Sequence, residues 1–100
     1  GQIHVSVAYP GKTRGNHYHT RKLEWFCVPQ GKGLLLLKDL ETGEEKELIM
    51  GEGALKTVKI TPGIIHAIKN IGNTNMVLIV YANEAFNSED PDTFYEKILE

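Results

Sequence analysis

His17, His19, Glu24 and His66 are the residues of this chain whose types and spacing can hold a metal ion. On an extended strand, residues i and i+2 point to the same face. The imidazoles of His17 and His19 therefore project together, and Tyr18 projects the other way. Glu24 follows far enough behind His19 for a tight turn into an adjacent strand, where its carboxylate completes a face of two imidazoles and one acid. His66 lies far along the chain, just after Pro62-Gly63, and a barrel would bring its strand alongside the first. Three nitrogens and one oxygen at ~2.0–2.2 Å suit zinc, and the same donors accept iron, nickel, manganese or cobalt. A histidine pair alone is common on surface strands and in satisfied cores. The weight comes from the four residues together with the glycines that frame them. His4, the remaining histidine, falls in the first alternating segment and reads as structural or as lining a pocket.

The elements that must position these donors are strands almost throughout. Residues 2–9 alternate with period two before Pro10-Gly11. Residues 16–19, 23–28, 33–40, 45–50, 55–60, 65–70 and 75–82 read as further strands, separated by turns rich in Gly, Pro, Asn and Thr. Short strands with a turn every eight to ten residues indicate a sandwich or barrel. The segment after the polar break at residues 87–92 reads as a short helix or tail, with Asp92 as N-cap and Phe94 and Ile98 on one face.

Bulk composition narrows the function classes. The 100 residues support a single domain with a modest core, for which dimerisation is a natural way to bury more surface. A net charge of −2 gives no basic excess for a general nucleic-acid binder. The longest apolar run, Leu34 to Leu37, is broken by Lys38 and Asp39, far short of the roughly 20 residues of a membrane span. There is no basic-then-apolar leader, and the lone Cys27 excludes an internal disulfide, so a reducing cytoplasm is the expected compartment. Within Trp25-Phe26-Cys27-Val28 that cysteine reads as a small core side chain.

Gly11, His17, His19, Glu24 and Gly31 stand at the fixed spacings of the first cupin motif, and Pro62-Gly63, His66 and Asn70 resemble the second. The proline directly precedes the glycine here, whereas the cupin consensus puts one residue between them. The fold this implies is all-β, a small cupin (jelly-roll) barrel over residues 1–100 with a short C-terminal helix or tail. The match goes further. Arg14-Gly15-Asn16-His17-Tyr18-His19, Lys22, Glu24, Phe26, Asn70-Ile71-Gly72, Ala82-Asn83-Glu84-x-Phe86 and Pro91-Asp92-Thr93 resemble the C-terminal cupin (epimerase) domain of CapF/WbjC-type capsular polysaccharide biosynthesis enzymes.

That resemblance implies a zinc-binding cupin that epimerises C3 of a UDP- or dTDP-linked 4-keto-6-deoxy (amino) sugar. It also implies a homodimer, and a separate or missing short-chain reductase that reduces the ketone with NADPH. Such a reaction needs the enolate stabilised and a base near the acidic carbon. Lys22, Glu84 and Tyr81 are the candidate bases, each with surface charge or barrel packing as its plainer role. Among Lys12, Arg14, Arg21 and Lys22, which crowd the metal motif, Arg14 and Lys12 are the candidates for a sugar-nucleotide diphosphate, and Asn83 is a further substrate contact. Trp25 and Phe26 alternate, so only one can face the pocket. With four protein ligands the metal can equally be structural. The alternatives are then a non-catalytic, metal-stabilised sugar-binding module, or an iron-dependent oxygenase-type cupin.

Overall fold

The computed structural model describes all of residues 1–100. Nine strands form it: β1 (Gln2–Ala8), β2 (Thr13–Tyr18), β3 (Glu24–Gln30), β4 (Lys32–Asp39), β5 (Glu45–Gly51), β6 (Thr57–Ile60), β7 (Ile64–Asn70), β8 (Met76–Ala82) and β9 (Phe94–Tyr95). They make two antiparallel sheets, of order β1-β8-β3-β6 and β5-β4-β7-β2-β9. This is the all-β, cupin-type architecture that the motif spacing implies.

Period-two alternation explains the layers. In β3, Glu24, Phe26 and Val28 turn inward and are buried, while Trp25 and Cys27 stay half-buried on the outer face. In β8, Met76, Leu78, Val80 and Ala82 are buried, and Tyr81 is exposed. Phe26, Val28, Leu78 and Val80 meet Leu35, Met50 and Ile68 of the facing sheet in one apolar cluster. Strand β1 inverts the usual pattern: Gln2, His4 and Ser6 face an open cavity, and Ile3, Val5 and Val7 are exposed on the other side. Polar side chains on an inward face indicate that the interior at that end is built to take a ligand.

Two expectations change. Cys27 belongs to the outer face and not to the core, because its neighbours Phe26 and Val28 take the inward positions. The segment after Pro91 is not helical. Asp92 has φ of 50°, in the left-handed region, so it cannot open a right-handed helix. Phe94 and Tyr95 instead pair with β2, at Tyr18 and His17. Asn16 then holds the rest of the tail: its Oδ1 accepts from the Ile98 and Leu99 amides, and its Nδ2 donates to the Leu99 carbonyl. No helix of the structure is long and apolar enough to cross a membrane.

Asn70, the last residue of β7, ties the turns together. Its buried Nδ2 donates to the carbonyls of Ala8 and Thr74 at 2.9 and 2.8 Å, and its Oδ1 accepts from Gly72 N at 2.9 Å. Asn70→Asp keeps the shape but removes both donors and sets a carboxylate against two carbonyls. Urea denaturation is expected to show a loss of at least about 2 kcal/mol.

Candidate metal centre and cavity

Each of the four donors owes its position to a local feature. Gly15 and Asn16 both have positive φ, and the β2–β7 register shifts between Gly15 and His17. This bulge sets His17 directly opposite His66. Only glycine fits at position 15, since a Cβ there would lie 2.7 Å from the His66 carbonyl oxygen. His19 follows β2 into the loop to β3, and Glu24 opens β3 in the other sheet. The cluster therefore spans the sandwich, with His17 and His66 on one sheet and the carboxylate on the other.

The ligating atoms of His17, His19, Glu24 and His66 all lie within 4.8 Å of one another. His19 Nε2 is 3.0 Å and His66 Nε2 3.2 Å from Glu24 Oε1. Tautomers follow from the partners behind the rings. His19 Nδ1 is 2.6 Å from the Asp92 carbonyl, and His66 Nδ1 is 3.0 Å from the Ile64 carbonyl. A carbonyl only accepts, so both Nδ1 atoms carry hydrogen and both Nε2 atoms turn to the cluster. His66 Nε2 is fully buried and has no aligned hydrogen-bond partner. A buried nitrogen lone pair facing a carboxylate oxygen is unfavourable unless a cation lies between them, so the donor set fits a divalent metal.

The electrostatics agree. Burial, then the neighbouring His66 and His19, push His17 down to about 4, so it is neutral at pH 7 and ready to ligate. Burial opposes ionisation of Glu24, but the His19 and His66 imidazoles beside it outweigh that and hold the carboxyl well below the usual range. Burial also opposes a charge on His19, yet the Glu24 and Asp92 bonds raise its pKa above the ordinary value.

The cluster forms part of the wall of a cavity of 520 Å³ between the sheets, flanked by Gln2, His4 and Ser6 and floored by Phe26, Leu78 and Val80. Phe26 is thus the member of the Trp25–Phe26 pair that faces the pocket. Its ring meets His66 edge-on, while Trp25 packs outside against Tyr81. Lys22 is buried at the cavity, its Nζ donating to the Pro91 carbonyl at 2.9 Å and lying over the Phe86 ring. Arg14 lines the cavity and donates from Nη2 to the Val7 carbonyl at 2.8 Å. Glu84 also lines it but is clamped by Arg21 at 2.9 Å, and Arg21 pairs with Asp90 as well.

The structure does not bring the other candidates to this cavity. Tyr81 lies on the outer face of β8, where alternation between Val80 and Ala82 puts it. Lys12 is exposed away from the lining, and Asn83 uses its Oδ1 to accept from Leu23 N. Three residues at the site were not singled out for it from the sequence. Tyr95 meets His17 edge-on from β9, Phe86 covers Lys22, and Asp92 braces the His19 loop. Phe86 and Asp92 stood in the family-like runs, and Asp92 also read as a capping residue. It does cap backbone amides, but those of Thr20, Arg21 and Lys22 and not of its own segment.

Burial opposes ionisation of the Asp92 carboxyl, but the Thr20 hydroxyl and the three amides outweigh it and hold its pKa well below normal. An unfolded Asp takes up its proton near pH 4. The stabilisation is therefore fully present above about pH 4 and is lost as pH falls below it towards the lowered native value. Asp92→Asn is expected to be less stable than wild type at pH 7 by about 1–3 kcal/mol. Denaturation curves between pH 7 and pH 3 should show that difference narrowing below about pH 4.

Comparison with known proteins finds similarity to proteins of polysaccharide biosynthesis. A family described as the polysaccharide biosynthesis C-terminal domain matches residues 1–94. The UDP-2-acetamido-2,6-beta-L-arabino-hexul-4-ose reductase of Pseudomonas aeruginosa is 38% identical over 94 residues, covering 94% of this chain and 25% of that protein. The probable low-salt glycan biosynthesis epimerase Agl13 of Haloferax volcanii is 30% identical over 95 residues, covering 89% of this chain and 61% of that protein. The crystal structure of the capsular polysaccharide assembling protein CapF from Staphylococcus aureus superposes with a TM-score of 0.93 at 38% identity, covering 98% of this chain and 29% of that one. The chain thus spans about a quarter of the first relative and less than two thirds of the second.

Proposed function

The chain belongs to the polysaccharide biosynthesis C-terminal domain family, and on that premise we propose that it is a metal-dependent epimerase of a nucleotide-linked 4-keto-6-deoxy (amino) sugar, exchanging the proton at C3. The observation that carries the reading is the convergence of His17, His19, Glu24 and the unpartnered His66 Nε2 beside a cavity large enough for a sugar. A divalent ion held there by His17, His19, Glu24 and His66 would supply a Lewis-acidic charge that acidifies the carbon next to a ketone.

The chain's own residues supply the rest. Of the three candidate bases, Tyr81 faces outward and Glu84 is held by Arg21, whereas Lys22 faces the cavity with a backbone carbonyl as its only hydrogen-bonding partner. Lys22 is assigned to removing the C3 proton, and a proton delivered from water to the opposite face of the enolate inverts the centre. Arg14, at the cavity and exposed, is assigned to the diphosphate. Reduction of the ketone falls to a short-chain reductase outside these 100 residues.

Metal content is measured first, and zinc is the expected ion; iron in its place redirects the reading to oxygen chemistry. The loaded protein is then incubated with a UDP-linked 4-keto-6-deoxy amino sugar in deuterated water and followed by NMR. Deuterium should appear at C3. Lys22→Met should retain the metal and slow exchange by about 10²–10⁴-fold. Sugar binding without exchange would reduce the protein to a metal-stiffened binding module.

A homodimer is proposed as well. Edge strand β1 leaves one side unpaired and exposes Ile3, Val5 and Val7, a surface that a second copy would cover. Sedimentation equilibrium is expected to return twice the 11.2 kDa chain mass.

A further inference from the structure

The loop that carries His19 and Lys22 has no regular structure of its own between β2 and β3. What fixes it is Asp92, more than seventy residues away in sequence and 4% exposed. One carboxylate oxygen accepts from the amide and the hydroxyl of Thr20, and the other accepts from the amides of Arg21 and Lys22 at 3.0 and 3.1 Å. The carbonyl of the same residue accepts from His19 Nδ1 at 2.6 Å. Pro91, just before it, offers its carbonyl to Lys22 Nζ. Downstream, Tyr95 pairs with His17. A left-handed φ at Asp92 lets carboxylate and carbonyl reach the same loop, a conformation that non-glycine residues adopt only when neighbours enforce it.

We propose that Asp92 is a positioning residue for the metal centre: it locks the ring orientation and Nδ1–H tautomer of His19, and with them the metal affinity of the cluster. The inference rests on the metal reading of the four-residue cluster. Groups that orient a ligating imidazole through its other nitrogen commonly set affinity by about 10- to 100-fold. Here that group is a main-chain carbonyl, so the side chain acts by holding its own backbone in place.

The experiment measures zinc affinity by competition with a chromophoric chelator for wild type, Asp92→Ala and Asp92→Asn. Ring-nitrogen ¹H–¹⁵N spectra of the metal-free proteins are recorded alongside. Wild type should show a His19 Nδ1–H protected from exchange with water. Asp92→Ala should lose that protection and bind zinc about 10- to 100-fold more weakly. Asp92→Asn, which keeps an acceptor oxygen, should recover part of both, and it carries the test if the alanine variant does not fold. Met50→Ala opens a gap in the apolar cluster away from the cavity lining, and it should lower thermal stability with zinc affinity within about threefold of wild type. Unchanged zinc affinity in the Asp92 variants, or an equal loss in Met50→Ala, overturns the proposal while the metal reading stands. Failure of wild type to bind zinc overturns the metal reading, and this inference with it.

Discussion

The carboxylate of Glu24 is the constraint on which the rest of the structure depends. A charged oxygen buried between two sheets is costly unless it is met by donors or a cation. Here the imidazoles that face it come from the opposite sheet and the loop beyond it, so the cluster also ties the two sheets together at one end. The other end needs no such device. Val28, Leu35, Met50 and Ile68 close it with apolar contact, and the Asn70 amide ties its turns. The molecule thus has a dry end, which supplies hydrophobic stability, and a polar end, which spends part of it on a site.

Most of the strands were legible because β3 and β8 keep a strict two-residue period, and their buried and exposed positions follow from parity. Parity also contained two facts that composition obscured: Cys27 and Tyr81 fall on the outward phase of these same strands. The donor set was legible from spacing, since His17 and His19 share a face and the cupin-type frame fixes the rest. How His17 comes to oppose His66 was not legible, because it depends on a bulge at Gly15 and Asn16, and one inserted residue changes every pairing after it. The tail was misread for a related reason. Asp followed by alternating apolar residues is the same local pattern whether the carboxylate caps its own segment or a loop seventy residues earlier. Only long-range contact decides between them.

The cavity shows the same division of labour. Lys22 and Arg14 stand beside the ligands in sequence and reach the cavity with them, as neighbours of a motif commonly do. Asn83 and Glu84 belong to an equally distinctive stretch, yet their side chains serve mainly to fasten the chain, one to the start of β3 and the other to Arg21. A motif that identifies a family can therefore mark structural joints as readily as chemistry.

The placement of Asp92 and Tyr95 has a consequence for the order in which the molecule is assembled. A ribosome makes His17 and His19 more than seventy residues before Asp92 and Tyr95, the groups that orient them. β1 likewise waits for β8, its only partner. Contacts of such long sequence separation form late and slowly. The early imidazoles are thus released into the cell long before the frame that aims them exists. The site is therefore completed only once the segment that carries Asp92 and Tyr95 has been made.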